Sequence, residues 1–265
     1  MIVGSKPFTE SEIVGEMVAQ LAENTGASVK RRFYMGGVVL FEGLKSGDVD
    51  VYIEYTGTGL VDLLSEPAMS DPDKVYERVK TEFKRRWNLD WLKPLGFNNT
   101  YAMLMRRDAA KKLGIRRISQ LKSHRKNLRC GFDLVFSDRP DGYPGMIARY
   151  GKFCASITQM DPGIMYQALN GSEVDLISGY STDGRIASLG LVVLEDDKKF
   201  FPPYHAAPLV GPAAFRKAPG LKAKLEALAG ELSDSEITAL NAEVDSKKRQ
   251  AREVAREFLK RKGLL

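Results

Sequence analysis

Gly96-Phe97-Asn98-Asn99-Thr100-Tyr101-Ala102-Met103 is the stretch that decides how this chain is organised. A strand-like run, Trp91-Leu92-Lys93-Pro94-Leu95, leads into it, and Ala102-Met103-Leu104-Met105 begins another. Between them lie two asparagines and a threonine, whose side chains satisfy backbone groups locally, so the segment can leave one packed unit and enter another without regular pairing. We read it as a crossover between two lobes. The return strand is Phe200-Phe201-Pro202-Pro203-Tyr204-His205-Ala206-Ala207-Pro208-Leu209-Val210, whose prolines forbid helix and limit sheet pairing. Two strands linking two lobes make a hinge, and a hinge beside aromatic rings predicts a cleft that closes on a ligand. The crossings divide the chain into lobe 1, residues 1–100 and 205–265, and lobe 2, residues 101–204.

Working outward, Ile2-Val3-Gly4-Ser5 is β-like, and Thr9-Glu10-Ser11-Glu12 opens a helix with Ile13, Met17 and Leu21 on one face. Thr9 and Glu12 have capping-box spacing, and Phe8 and Ile13 that of a hydrophobic staple. A strand followed at once by a helix leaves free N–H groups at the strand's end, where open α/β sheets bind ligands. Ser5, Lys6 and Thr9 are therefore candidates for holding an anionic ligand group. Val29 to Phe33 reads as a second strand, with Met35-Gly36-Gly37 as a loop whose glycines let backbone amides approach a ligand. A helix from Val38 to Lys45 and a third strand, Val49 to Ile53, follow, and Glu54-Tyr55-Thr56-Gly57-Thr58-Gly59 ends that strand. This βαβαβ pattern predicts an α/β fold with a largely parallel sheet. A helix from Asp71-Pro72 to about Trp87 leads to the crossover. Beyond it the alternation starts again, with strands at Leu128–Phe132, Phe153–Ile157, Val174–Ser178 and Leu191–Leu194. The last stretches, Leu221–Leu232 and Ser235–Lys262, read as helices that pack back on lobe 1.

Composition narrows the functional classes. At 265 residues, 43% hydrophobic and 28% charged, the chain is long enough for two cores, and no apolar run approaches the roughly 18 residues of a membrane span. The net charge of +6 is spread out, and in the last helix Lys247, Lys248, Arg249, Arg252 and Arg256 alternate with Glu253 and Glu257. That is a solvated face with ion pairs rather than a nucleic-acid surface. His124 and His205 are the only histidines, and Cys130 and Cys154 the only cysteines, so no metal constellation is expected. No phosphate-cradling, dinucleotide or nucleophile-elbow motif is present, which argues against a cofactor and against catalysis. The two cysteines fall in strand-like runs separated by one helix, which leaves a disulfide and two buried thiols both open. The N-terminus enters a strand directly, as in a cytoplasmic protein or one whose leader has been removed. Tyrosine recurs after predicted strands, at Tyr55, Tyr101 and Tyr180, and again on the return strand at Tyr204.

Five stretches resemble one family: Gly4-Ser5-Lys6-Pro7-Phe8-Thr9-Glu10, Lys45 to Asp50 with Glu54-Tyr55-Thr56-Gly57-Thr58, Gly96 to Tyr101, Arg139-Pro140-Asp141-Gly142-Tyr143, and Tyr180-Ser181-Thr182-Asp183-Gly184-Arg185. It is the osmoprotectant substrate-binding proteins of ABC importers, and the likeness runs in register from about residue 3 to residue 210. The resemblance implies a two-lobed type II periplasmic-binding-protein fold with a hinge and an interlobe ligand cleft. It also implies a tyrosine cage for a quaternary ammonium group, formed here by Tyr55, Tyr101, Tyr180 and Tyr204. Asn99 and Thr182 lie within these motifs, and Lys6, Thr9, Gly37 and Arg139 are expected near the ligand's other end. One departure is Leu134-Val135 before Phe136, where many relatives carry His-Glu or a similar polar pair; it leaves room for a bulkier betaine such as ergothioneine.

Physical chemistry supports such a cage. A quaternary ammonium donates no hydrogen bond, and each well-placed ring face is worth about 0.5 to 2 kcal/mol to it. Micromolar binding, about −8 kcal/mol, then also needs the ligand's other end to be held. The implied function is a non-catalytic solute-binding component that delivers a betaine, choline, carnitine or ergothioneine type of compound to an ABC permease. Its expected place is periplasmic or extracytoplasmic, its leader removed, touching the membrane only through the permease or an anchor. The alternative is a ligand-sensing effector domain of a regulator with the same fold. Rings that only face a cleft are expected to be removable at little cost to folding.

Overall fold

The computed structural model describes residues 1–265. Ten strands are present: β1 (Ile2–Gly4), β2 (Lys30–Arg32), β3 (Val51–Tyr55), β4 (Asp90–Trp91), β5 (Tyr101–Arg106), β6 (Arg129–Phe132), β7 (Ser156–Gln159), β8 (Leu176–Tyr180), β9 (Leu191–Val193) and β10 (Ala206–Val210). The helices are α1 (Thr9–Glu23), α2 (Gly37–Ser46), α3 (Thr56–Thr58), α4 (Pro72–Trp87), α5 (Arg107–Leu113), α6 (Leu134–Asp138), α7 (Tyr143–Tyr150), α8 (Pro162–Asn170), α9 (Arg185–Ser188), α10 (Ala214–Lys217), α11 (Leu221–Leu228), α12 (Asp234–Asp245) and α13 (Ala251–Arg261). The strands form two separate sheets, ordered β2-β1-β3-β10-β4 and β7-β6-β8-β5-β9. This is the two-lobed mixed α/β architecture.

The central strands of each sheet are buried on both faces, and alternation along them shows how. In β3, Val51, Ile53 and Tyr55 join the largest apolar core while Tyr52 joins the core beneath α2 and α4. In β5, Tyr101, Met103 and Met105 join that same largest core, and Ala102 and Leu104 pack with α8 on the other face. The faces carrying Tyr55 and Tyr101 are thus turned towards one shared interior.

β10 runs antiparallel to β3 within the first sheet, as β5 does to β8 in the second. The chain leaves the first sheet after β4 and comes back to it as β10. The two crossings are bonded to each other: Asn98 bridges His205, the Asn99 amide donates to the Tyr204 carbonyl at 3.1 Å, and the Tyr204 amide donates to Asn98 Oδ1 at 2.7 Å. Of the return strand expected from Phe200, only Ala206 to Val210 forms a regular strand, with Tyr204 and His205 in the bridge to the other crossing and Pro202 and Pro203 without an N–H to give.

Other expectations are corrected. Thr9 is not a cap: Phe8 holds the N-cap position of α1 with no side-chain bond, and the Thr9 hydroxyl donates to Asp245 at 2.5 Å instead. The C-terminal helix is two helices, broken between Asp245 and Ala251, where Lys248 adopts a positive φ of 58°. The break lets both α12 and α13 pack on α1, burying Ile237, Val254 and Phe258 against Ile13, Met17 and Leu21. Residues 59–63 form a π-helical turn and residues 118–124 a 3-10 helix. α5 and α6 were not expected, although Asp133 signals α6 by accepting the Phe136 amide at 2.9 Å. Cys130 and Cys154 form a disulfide, which ties β6 to the segment entering β7.

Candidate functional site

A cavity of about 410 Å³ lies between the two sheets. Tyr55 is the last residue of β3, and Tyr204 lies on the return crossing just before β10, so both hang from the end of the first sheet. Tyr101 opens β5 and Tyr180 closes β8, directly opposite each other in register. All four line the cavity. The Tyr101 and Tyr180 rings stack with centroids 5.4 Å apart at 27°, and Tyr204 meets Tyr101 edge-on at 5.7 Å and 86°. A fifth ring was missed at the sequence level. Phe8 sits 6.1 Å from Tyr55 and 6.0 Å from Tyr180, almost parallel to the latter, and closes the wall between them. Its only signal was its place in the Gly4 to Glu10 stretch.

Lys6, Gly37, Asn99 and Arg139 also line this cavity. Neither cation is free. The Lys6 ammonium pairs with the buried Glu54 and lies 5.2 Å from the Tyr55 ring centroid. The Arg139 guanidinium grips Asp141 with two bonds of 2.7 and 2.6 Å and reaches Asp62 at 3.0 Å with its remaining arm. Burial works against the Arg139 charge, but Asp141 more than offsets it and the pKa is raised. Gly37 begins α2, so its N–H belongs to the unpaired donors of a helix start.

Thr9 and Thr182, expected at the ligand, do not line this cavity. They border an adjoining hollow of about 450 Å³ beyond Phe8 and Tyr180. The Thr182 hydroxyl donates to Glu10 at 2.5 Å. Glu10 is the second residue missed: its carboxylate, 3% exposed, also accepts from Tyr55 Oη at 2.7 Å, Asn99 Nδ2 at 2.8 Å and Asn241 Nδ2 at 3.3 Å. Burial raises its pKa, against the four hydrogen bonds that lower it. Tyr204 Oη donates to Asp141 in the same manner. Burial is also the leading cause that lifts the phenol pKa of Tyr55, Tyr101, Tyr180 and Tyr204, so all four rings are neutral at physiological pH.

Val38 from one side and Val135 from the other, 64% and 55% exposed, edge the cavity with aliphatic surface. Leu134 is equally open to solvent beside Val135. No three His, Cys, Asp or Glu side chains are grouped to hold a metal. Aromatic faces with carboxylates behind them are chemically suited to a cation that cannot hydrogen-bond.

The family described as the substrate binding domain of ABC-type glycine betaine transport systems matches residues 1–261. The carnitine transport binding protein OpuCC of Listeria monocytogenes is 38% identical over 98% of this chain and 85% of that protein. The ergothioneine transport permease/ergothioneine binding protein EgtU of Helicobacter pylori is 34% identical over 100% of this chain and 48% of that protein. A crystal structure described as a glycine betaine/carnitine/choline ABC transporter superposes with a TM-score of 0.85 at 34% identity, covering 100% of this chain and 99% of the other. These matches run through both sheets, both crossings and the C-terminal helices, and on them the chain belongs to the substrate-binding domains of ABC-type glycine betaine transport systems, which are transport receptors and not enzymes.

Proposed function

We propose that this chain captures a quaternary ammonium compound of the betaine, carnitine, choline or ergothioneine class in the tyrosine-lined cavity and delivers it to an ABC permease outside the cytoplasm. The observation that carries this is the convergence of Tyr55, Tyr101, Tyr180 and Tyr204 on one cavity whose two cations are already paired. Lobe 1 is residues 1–100 and 205–265 and lobe 2 residues 101–204, with the bonded crossings at Asn98–Asn99 and Tyr204–His205 as the hinge. A ligand touching both lobes favours the closed arrangement by its differential contacts. For a ligand that carries a carboxylate, the donor that can be lent is the outer arm of Arg139. Its partner Asp62 has a side chain 43% exposed and can turn to water. No helix is long and apolar enough to cross a membrane.

Native mass spectrometry of the protein with saturating carnitine, glycine betaine, choline and ergothioneine, each in turn, tests the reading. A one-to-one adduct with at least one of them is expected. An adduct with none, from a protein that melts cooperatively, contradicts it.

A further inference from the structure

We infer that Glu10 is a positioning residue of the ligand cavity: through Tyr55 it orients one ring and gives that ring an anionic backing, which raises the preference for a permanent cation over a neutral ligand of the same shape. The inference rests on the proposed quaternary-amine reading and concerns how the cavity tells charge from shape.

The four donors around Glu10 come from four parts of the chain. On Oε1 they are Tyr55 of β3 and Asn99 of the outgoing crossing; on Oε2 they are Thr182, past the end of β8, and Asn241 of α12. The Asn241 amide is oriented by a second bond, Nδ2 to the Thr182 carbonyl at 2.9 Å, so it faces Glu10 as a donor. Each oxygen accepts an amide N–H that can only donate, from Asn99 on Oε1 and Asn241 on Oε2, with a hydroxyl donating beside it, an arrangement that suits a carboxylate. The start of the 15-residue helix α1, where Glu10 sits, also favours negative charge.

Asp133 also lines the cavity but accepts the Phe136 amide and no ring hydroxyl, and Glu54 and Asp141 differ from Glu10 in one respect. Glu54 is paired with Lys6, and Asp141 is gripped by Arg139, so their charges are cancelled where they stand. All the hydrogen-bond partners of Glu10 are neutral. A phenol that donates to an uncompensated carboxylate in a low-dielectric site is polarised, and electron density moves onto the ring face that a cation meets. Tyr204 makes the same kind of bond, but to a neutralised carboxylate, and therefore serves as the internal control. The Tyr55 ring already has the Lys6 ammonium 5.2 Å from its centroid, which shows that its surroundings accommodate positive charge.

The test is a double-mutant cycle of Glu10→Gln, Tyr55→Phe and the double variant, with Tyr204→Phe as control, read by calorimetric titration with choline and with its neutral carbon analogue 3,3-dimethyl-1-butanol. Glu10→Gln is expected to weaken choline binding by about two- to tenfold while leaving the alcohol unchanged, and to add nothing further once Tyr55 is Phe. Where the alcohol is too weak to titrate, the cycle on choline alone decides. Equal weakening of both ligands, or an effect on choline that adds in full to that of Tyr55→Phe, overturns the inference by making Glu10 merely structural. If Glu10→Gln does not fold, Tyr55→Phe against Tyr204→Phe carries the decision. A larger choline loss at Tyr55 supports the inference, and equal losses overturn it. If the wild type binds no quaternary amine, the proposed function fails and takes this inference with it. If the wild type binds and only the Glu10 effect is missing, the inference fails alone.

Discussion

Tyr55 and Tyr204 are fixed by their hydroxyls, each donating to a buried carboxylate, whereas Tyr101 and Tyr180 are fixed by register, facing each other across two antiparallel strands with their rings stacked. No carboxylate accepts from the second pair. The contrast follows from where the residues sit. Tyr101 and Tyr180 are cross-strand partners and brace each other, whereas Tyr55 faces only Ala206 across its ladder and Tyr204 lies on the crossing before β10, so these two rings are held by a polar partner. The same five or six ångströms between rings is therefore reached in one half of the cavity by backbone pairing and in the other by buried charge.

The largest effect that separates the two halves is on stability. Tyr55 and Tyr204 are each only 4% exposed, so replacing either by Ala removes a buried ring and strips a carboxylate of a donor. Urea denaturation is expected to show a loss of about 3 to 5 kcal/mol for each. This revises the expectation that cleft tyrosines can be removed at little cost. Tyr180, only partly buried, should lose less on the same change, and equal small losses at Tyr55, Tyr204 and Tyr180 would remove the distinction.

Deleting only the hydroxyl sharpens it. Tyr55→Phe leaves Glu10 short of one donor and is expected to cost about 1 to 3 kcal/mol in the same denaturation measurement. Tyr101→Phe and Tyr180→Phe should stay within about 0.5 kcal/mol of wild type. On binding the order reverses in character, because the stacked pair contributes faces and little else. Tyr101→Ala and Tyr180→Ala are each expected to weaken a trimethylammonium ligand by about 0.5 to 2 kcal/mol, two- to thirtyfold, in a calorimetric titration. Unchanged affinity in both would take that pair out of the site.

The smallest effect is a trend with pH. The Glu10 pKa is raised by burial, so the folded protein holds that proton more readily than the unfolded chain does. The stabilisation from this source is fully present below the ordinary glutamate range and is lost as pH rises through the folded pKa. The melting temperature of wild type minus that of Glu10→Gln should therefore fall as pH rises from the acid side towards neutrality. A difference that is flat or rises over that interval would mean that the carboxylate is not paying for its burial.

The crossings were legible in the sequence because Asn98, Asn99, Pro202 and Pro203 act on their own backbone, and local effects can be read locally. The cavity tyrosines were legible through the resemblance, with their periodic place after strands as the residue-level support. Thr9 and Thr182 lie outside the tyrosine cavity for a reason that local sequence does not show. Their hydroxyls are used by Asp245 and Glu10, 236 positions away for Thr9 and 172 for Thr182, and no spacing rule reaches that far. Lys6 and Arg139 were expected to be available to a ligand, and only the fold shows Glu54 and Asp141 in the way. The helix break at Lys248 had no proline or glycine to announce it; packing of α12 and α13 on the same helix decides it. The disulfide stayed open because its formation depends on a distance between segments, and the structure sets the Cα atoms of Cys130 and Cys154 5.9 Å apart.

The most direct measurement is a calorimetric titration of the wild-type protein with choline, glycine betaine, carnitine and ergothioneine, alongside 3,3-dimethyl-1-butanol as the neutral match for the trimethylammonium group. The account predicts one-to-one binding of at least one quaternary amine with micromolar affinity, about −8 kcal/mol, and binding of the neutral analogue at least about tenfold weaker than that of choline. No heat from any quaternary amine at millimolar concentration, or a neutral analogue that binds as tightly as choline, would contradict it.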